Sequence, residues 1–163
     1  MRYAHIDSPL GALLLVGDES GLAGLHLTTG RGAITPSPAW EPAATADFAD
    51  ARAQLDEYFA GARQRFELAL RPAGTPYQLR VWAALRDIPY GATTSYGELA
   101  AAIGSPAGAR AVGLANGRNP ISIIVPCHRV VGADGSLTGY GGGLPAKRWL
   151  LDHEARHAGR ALL

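Results

Sequence analysis

The chain carries one cysteine, Cys127, and that limits how it can hold itself together. A single thiol forms no internal disulfide and cannot by itself anchor a thiolate metal site. The fold must therefore rest on an apolar core and on backbone hydrogen bonds. The 163 residues are 47% hydrophobic, which suits one domain or two small ones. Apolar runs are far too short to span a bilayer, and residues 1–7 lack the apolar segment of a signal peptide. A lone cysteine also suits a reducing compartment, so a cytoplasmic protein with no membrane partner is expected.

Pattern along the chain divides it near residue 74. Residues 2–7, 12–17 and 22–28 are strand-like and separated by Ser-Pro-Leu-Gly and Asp-Glu-Ser-Gly turns, which predicts an antiparallel meander. A loop rich in Gly, Pro, Ser and Thr follows over 29–42. Residues 47–60 carry Phe48, Ala51, Leu55 and Tyr58 on one helical face, closed by Gly61. Alternation of Phe66, Leu68 and Leu70 predicts a further strand over 65–70, before Arg71-Pro72-Ala73-Gly74. The second half is mostly helical. Thr75-Pro76-Tyr77-Gln78 and Ser95-Tyr96-Gly97-Glu98 read as capping boxes. The second opens a short helix stopped by Gly104, and another short helix is expected from Pro106 to about Ala115. The expectation is an α/β (α+β) chain. Residues 1–74 form a small antiparallel sheet with a helix, and residues 75–163 a mainly helical unit.

Charge divides at the same place. Residues 1–74 hold nine acids and six bases, residues 75–163 five acids and nine bases. No acid occurs between Glu98 and Asp134, a stretch that contains Arg110, Arg118 and Arg129. Charge alone leaves two readings open, a face toward nucleic acid and a neutral segment with solvated arginines. The paired short helices in that stretch make a helix-turn-helix candidate. The second helix is slim, with Arg110 its one long side chain, which suits close backbone approach in a narrow groove.

Cys127 ends the apolar run Ile123-Ile124-Val125-Pro126 and precedes His128. Free cysteines are usually inert packing. A neighbouring imidazole instead supplies thiolate, provided a bend brings the two together and a third group orients the histidine. Pro126 supplies a bend. Glu154 is the candidate third group, because it follows Leu150 and Leu151 on the helix predicted from Pro145. The alternative for Glu154 is a surface pair with Arg148 or Arg156. The Gly-rich stretch 132–143 lacks a Gly-Lys-Ser/Thr ending, so it reads as a loop closing over a flat guest with Tyr140 as one wall. His5, His26, His128, His153 and His157 offer no metal-ligand set, and His153 and His157 read as surface residues.

Pro126-Cys127-His128-Arg129-Val130, preceded by Asn119-Pro120 and followed by Tyr140 and Glu154, resembles the O6-alkylguanine-DNA alkyltransferases (methylated-DNA–protein-cysteine methyltransferases). The likeness is dense over about residues 75–157 and is one of layout before that. It implies direct-reversal repair without a cofactor. An alkyl group would pass irreversibly from O6-alkylguanine, and from O4-alkylthymine, in double-stranded DNA to the cysteine, after minor-groove binding and base flipping. By this resemblance Cys127 is the acceptor, His128 a water-mediated base, Glu154 its orienter and Tyr96 the group that assists the leaving guanine. Arg110 would fill the gap left by the flipped base, and Tyr96, Ala109, Ala111, Asn116 and Gly117 would meet DNA. Asn119 would be a hinge. Val130, Tyr140, Gly141 and Lys147 would shape the base pocket. A monomer able to cluster on DNA is implied. Some relatives carry an N-terminal cysteine-rich zinc site, which one cysteine cannot form, and some have methionine where this chain has Asn116. The competing reading is a non-catalytic module that recognises alkylated bases and recruits other repair proteins. Cys127 argues against it, because such relatives carry a bulky residue there. A third, a cysteine hydrolase, leaves the helix pair and Arg110 without a purpose.

Overall fold

A computed structural model describes residues 1–30, 33–105 and 108–159. Strands β1 (Arg2–Ile6), β2 (Leu13–Asp18) and β3 (Gly21–Leu27) form the expected meander, with β2 central. Leu13, Leu14, Leu15 and Val16 are all buried, because β2 has neighbours on both edges and cover on both faces. A two-residue strand, β4 (Glu41–Pro42), adds to β1 in parallel, so the sheet is mixed.

The strand expected over 65–70 does not form. The outer edge of β3 is divided between two segments, which leaves neither room for a ladder. At one end Leu22 N–H donates to the Ala69 carbonyl (2.9 Å) and Arg71 N–H to the Leu22 carbonyl (2.8 Å). At the other end Leu25 N–H donates to the Pro120 carbonyl (2.9 Å) and Ser122 N–H to the Leu25 carbonyl (3.0 Å). The second pair matters for the site, since it ties the run-up to Cys127 directly to the N-terminal sheet.

Helix α1 (Ala49–Phe59) buries Ala51, Leu55 and Tyr58. Helix α2 (Pro76–Leu85) starts with a complete capping box, Gln78 N–H to Thr75 Oγ1 (3.1 Å) and Thr75 N–H to Gln78 Oε1 (3.0 Å). Its Trp82 Nε1 donates to the Ala115 carbonyl (2.8 Å). That bond fixes α2 against the end of α4 (Gly108–Gly117). Between them lie β5 (Thr94–Ser95) and α3 (Tyr96–Ala102). Ser95 Oγ caps α3 by accepting Glu98 N–H (3.1 Å), while the Glu98 carboxylate takes the Ser95 hydroxyl instead of a backbone amide, so the second box is only half made. Helices α3 and α4 form the expected pair. Described α4 starts at Gly108, and the start expected at Pro106 lies outside the described residues. A short β6 (Val130–Val131) pairs in parallel with β5, and α5 (Leu144–His157) completes the chain. One cluster of buried side chains runs from Leu13 and Leu25 in the sheet through Tyr58 and Trp82 to Cys127 and Leu150.

Candidate active site

The apolar approach to Cys127 is a succession of turns. Ile124 N–H donates to the Ser122 carbonyl (2.8 Å) across Ile123, whose φ is +72°. This is a γ-turn of the rare, strained hand, and a β-branched residue at positive φ is an outlier. Cys127 N–H then donates to the Val125 carbonyl (2.8 Å) across Pro126 (φ −82°, ψ 64°), a relaxed inverse γ-turn. Asn119 clamps the segment, with Ile121 N–H donating to its Oδ1 (3.0 Å) and its Nδ2 donating to the Val125 carbonyl (2.8 Å). It follows α4 directly, so α4 and the turns before Cys127 are tied through one side chain.

Cys127 opens a single 3₁₀ turn, Cys127–Arg129, and is buried. Burial pushes its thiol up, against the Asn119 side chain, the Lys147 charge and the amides of Cys127 and His128, which favour thiolate. The sequence expectation that the flanking imidazole lowers the thiol is corrected here. The thiol is protonated at rest, and desolvation is the cause.

His128 is fully buried. Its Nε2 lies 2.7 Å from Glu154 Oε2, which makes Nε2–H the donor and leaves Nδ1 as the basic nitrogen. Nδ1 is buried with no hydrogen-bond partner among the described residues. Burial holds the imidazole below its ordinary value, against the pull of Glu154. Glu154 faces inward, so the surface pairing with Arg148 or Arg156 is not realised. Its Oε1 accepts Arg129 Nε–H (2.8 Å), and its Oε2 accepts Arg129 Nη2–H (3.0 Å) and the Tyr58 hydroxyl (2.7 Å). Burial alone would raise this carboxyl. His128 and Arg129 overrule it and hold Glu154 well below the usual carboxylate range. Arg129 also donates from Nη1 to the Ile88 carbonyl (2.7 Å), and its guanidinium sits 5.6 Å over the Tyr90 ring.

Two members of this network, Tyr58 and Arg129, were missed by sequence reasoning as partners of Glu154. Arg129 was counted with the arginines of the acid-free stretch, yet it is buried and turned inward. His153, expected on the surface, is buried as well, its Nε2 2.7 Å from the Tyr58 carbonyl.

Lys147, which the resemblance assigns to the base pocket, is fully buried. Its ammonium donates to the Val130 (2.6 Å) and Thr138 (2.7 Å) carbonyls, which pins the Gly-rich loop to the strand leaving the active-site turn. Burial holds the ammonium below its ordinary value. Tyr96 bonds the same loop, its hydroxyl 2.9 Å from Thr138 Oγ1, and its ring lies along α4 at Gly113. Tyr140 is half-buried, and burial with the nearby Cys127 raises its phenol well above the tyrosine range. Gly141 is exposed, and Gly141–Gly142 pack backbone to backbone against Gly30 beyond β3.

On α4, Arg110, Ala109 and Gly117 are exposed and Ala111 is half-buried. Among the described residues no ion pair engages Arg110 or Arg118. Asn116 does not join this outward face. It is buried, with Nδ2 3.4 Å from the Cys127 carbonyl, because it lies on the side of α4 that packs on the active-site turn. No group of three or more metal-ligating side chains occurs among the described residues, and no described helix is long and apolar enough to cross a membrane.

Residues 76–156 match the family model of the 6-O-methylguanine DNA methyltransferase DNA-binding domain, and residues 1–72 match that of its ribonuclease-like domain. The chain belongs to the O6-methylguanine-DNA methyltransferase family. It is 51% identical to the methylated-DNA–protein-cysteine methyltransferase of Methanosarcina acetivorans, over 94% of this chain and 98% of that one. It is 53% identical to the enzyme of the same name from Mycobacterium bovis, over 97% and 94%. The crystal structure of Mycobacterium tuberculosis OGT in complex with DNA superposes with a TM-score of 0.90 at 52% identity, covering 96% of this chain and 94% of that one. The protein is accordingly a DNA-repair methyltransferase of the direct-reversal kind, in which a protein cysteine takes the methyl group.

Proposed function

We propose that Cys127 is the alkyl acceptor and that the substrate is O6-alkylguanine in double-stranded DNA. The single observation that carries this is a buried free thiol next in sequence to His128, whose ring belongs to a buried network with Glu154 and Arg129, while Asn116 of α4 hydrogen-bonds the Cys127 carbonyl. The outward face of α4, with Arg110, Ala109, Ala111 and Gly117, lies in the minor groove. Arg110 fills the space left by the flipped nucleotide, which offsets a few kcal/mol of lost stacking. The flipped base enters between Tyr140, Gly141 and the Val130 carbonyl, with Lys147 holding the loop in register.

The thiol proton leaves for His128 Nδ1 through a bridging water, and Glu154 stabilises the resulting imidazolium. The Cys127 sulfur attacks the alkyl carbon as the carbon–O6 bond breaks. Tyr96 gives the departing guanine a proton and is reprotonated from the network. One S–H and one C–O bond are exchanged for a thioether and a guanine N–H, so the step balances without an oxidant or a cosubstrate. Burial keeps the thiol protonated until a base is in place, which protects it from oxidation between encounters. The thioether is permanent, and each molecule acts once. Residues 1–74 and 75–163 are proposed as two structural units acting as a monomer in the cytoplasm, with clustering on DNA and action on O4-alkylthymine as further expectations.

Cys127→Ala tests the assignment on duplex DNA containing one O6-methylguanine. Expected is complete loss of transfer with lesion binding retained. Transfer by this variant would contradict the assignment, and lesion binding without transfer by the unaltered protein would favour the recognition-module reading.

A further inference from the structure

We propose that Tyr58, on α1 in the N-terminal half, is a positioning residue for alkyl transfer, its hydroxyl setting how strongly Glu154 engages His128. This rests on the reading of Cys127 as acceptor and His128 as its base.

Geometry carries the inference. The Tyr58 hydroxyl donates to Glu154 Oε2 at 2.7 Å, and this is the oxygen that faces His128 Nε2, also at 2.7 Å. Both ends of Tyr58 grip α5, because its carbonyl lies 2.7 Å from His153 Nε2, one residue before Glu154. The ring is fully buried and braced by Phe59, Phe66 and Tyr90, with centroids at 5.3, 5.5 and 6.1 Å. The hydroxyl therefore has one place to point. A buried phenol could have been a phenylalanine if packing were its only task, since a buried hydroxyl is costly unless it finds a partner. Here it finds the one carboxylate oxygen that also serves the base.

A donor on that oxygen withdraws charge from it, and the carboxylate then pulls less strongly on the His128 N–H. Removing the donor concentrates charge on Oε2 and favours imidazolium before the thiol has delivered its proton. The groups that act on this carboxylate from the elements packed against it are Tyr58, His128, Arg129, Tyr140 and His153, with Tyr90 beyond Tyr58 and Lys147 beyond His128. His128 and His153 are the imidazoles among them, the side chain whose ordinary value lies near neutral pH, and burial lowers both. His153→Gln, which can still donate to the Tyr58 carbonyl, separates the two.

The experiment is the pH dependence of the single-turnover methyl-transfer rate on duplex DNA containing O6-methylguanine, using the full chain. For Tyr58→Phe the expected results are an acidic limb displaced upward by about half a pH unit and, on that limb, a rate lower by about threefold. Affinity for the lesion duplex is expected to be unchanged, and His153→Gln is expected to leave the limb in place. Site-specific 3-fluorotyrosine at position 58 strengthens the donor and is expected to move the limb the other way. It also keeps the question answerable if Tyr58→Phe fails to fold. A Tyr58→Phe protein with an unmoved limb and a rate within twofold of the parent overturns the proposal, as does an unmoved limb with fluorotyrosine. If the unaltered protein accepts no methyl group, the reading of Cys127 fails first, and the two failures are distinguishable.

Discussion

Glu154 is a carboxylate with 1% of its side chain exposed, carrying four charge-assisted or phenolic hydrogen bonds. Such a group is safe only while its partners remain. Glu154→Gln leaves the Arg129 guanidinium buried without its counter-charge, and breaking one side of a buried pair costs about 3–5 kcal/mol. Urea unfolding should report that loss together with slowed transfer, and a variant as stable as the parent would contradict the pairing. The same residues set the acid response. His128 is held below its ordinary value, so below about pH 6.5 the unfolded chain binds a proton that the folded one refuses, and stability falls as pH drops. Glu154 is also depressed. Its contribution is complete above the ordinary carboxyl value of 4.5 and is lost as pH falls further toward its folded value. Stability should therefore decline in two stages from pH 7.5 to pH 3, the first near pH 6 and the second below about 4.5. A flat profile from 7.5 to 5 would contradict a neutral, buried His128. At this scale the sequence pointed to Cys127 and His128 by adjacency but left Glu154 divided between two readings. What decided it were Arg129, 25 residues away, and Tyr58, 96 residues away, and no local pattern encodes such contacts.

Helix α4 and the turns that follow it act as one element. Asn119 joins them, Asn116 touches the Cys127 carbonyl, and Trp82 of α2 fixes their position. The helix proposed to enter the groove is thus hydrogen-bonded to the backbone of the residue proposed as alkyl acceptor. Arg110 projects from its exposed face, so Arg110→Ala should lower transfer from duplex DNA by about tenfold and leave reaction with free O6-methylguanine base nearly unchanged. Equal loss on both substrates would mean that Arg110 acts inside the pocket instead of in the groove. Helices with capping residues and glycine stops were legible here, because caps and stops are local chemistry. Of the irregular backbone at 121–127, only the bend at Pro126 was. Its residues favour a strand by composition, but Asn119 and Pro126 impose γ-turns, and Ile123 accepts a positive φ that no propensity would assign it. The false strand at 65–70 has a similar origin, since alternation is satisfied by half-burial along an edge that β3 shares with residues 120–122.

The two halves of the molecule, separable in charge and composition, share one core. Residues 120–122 hydrogen-bond to β3, Tyr58 reaches Glu154, and His153 holds the end of α1. Residues 75–163 alone should consequently lack a cooperative thermal transition by far-UV circular dichroism, because the sheet edge and the α1 face would be stripped from the thiol's surroundings. A sharp melt of that fragment would contradict a shared core. The apolar pattern and the break near residue 74 were readable, whereas the interface between the halves was not, since it consists of single long-range bonds. A permanent thioether on Cys127, as proposed, consumes the protein in its own reaction. The most direct measurement is the intact mass after incubation with excess duplex DNA bearing one O6-methylguanine. Expected is a single gain of about 14 Da, mapped to Cys127 and stopping at one equivalent. Repeated removal of the lesion by protein of unchanged mass would contradict the whole scheme.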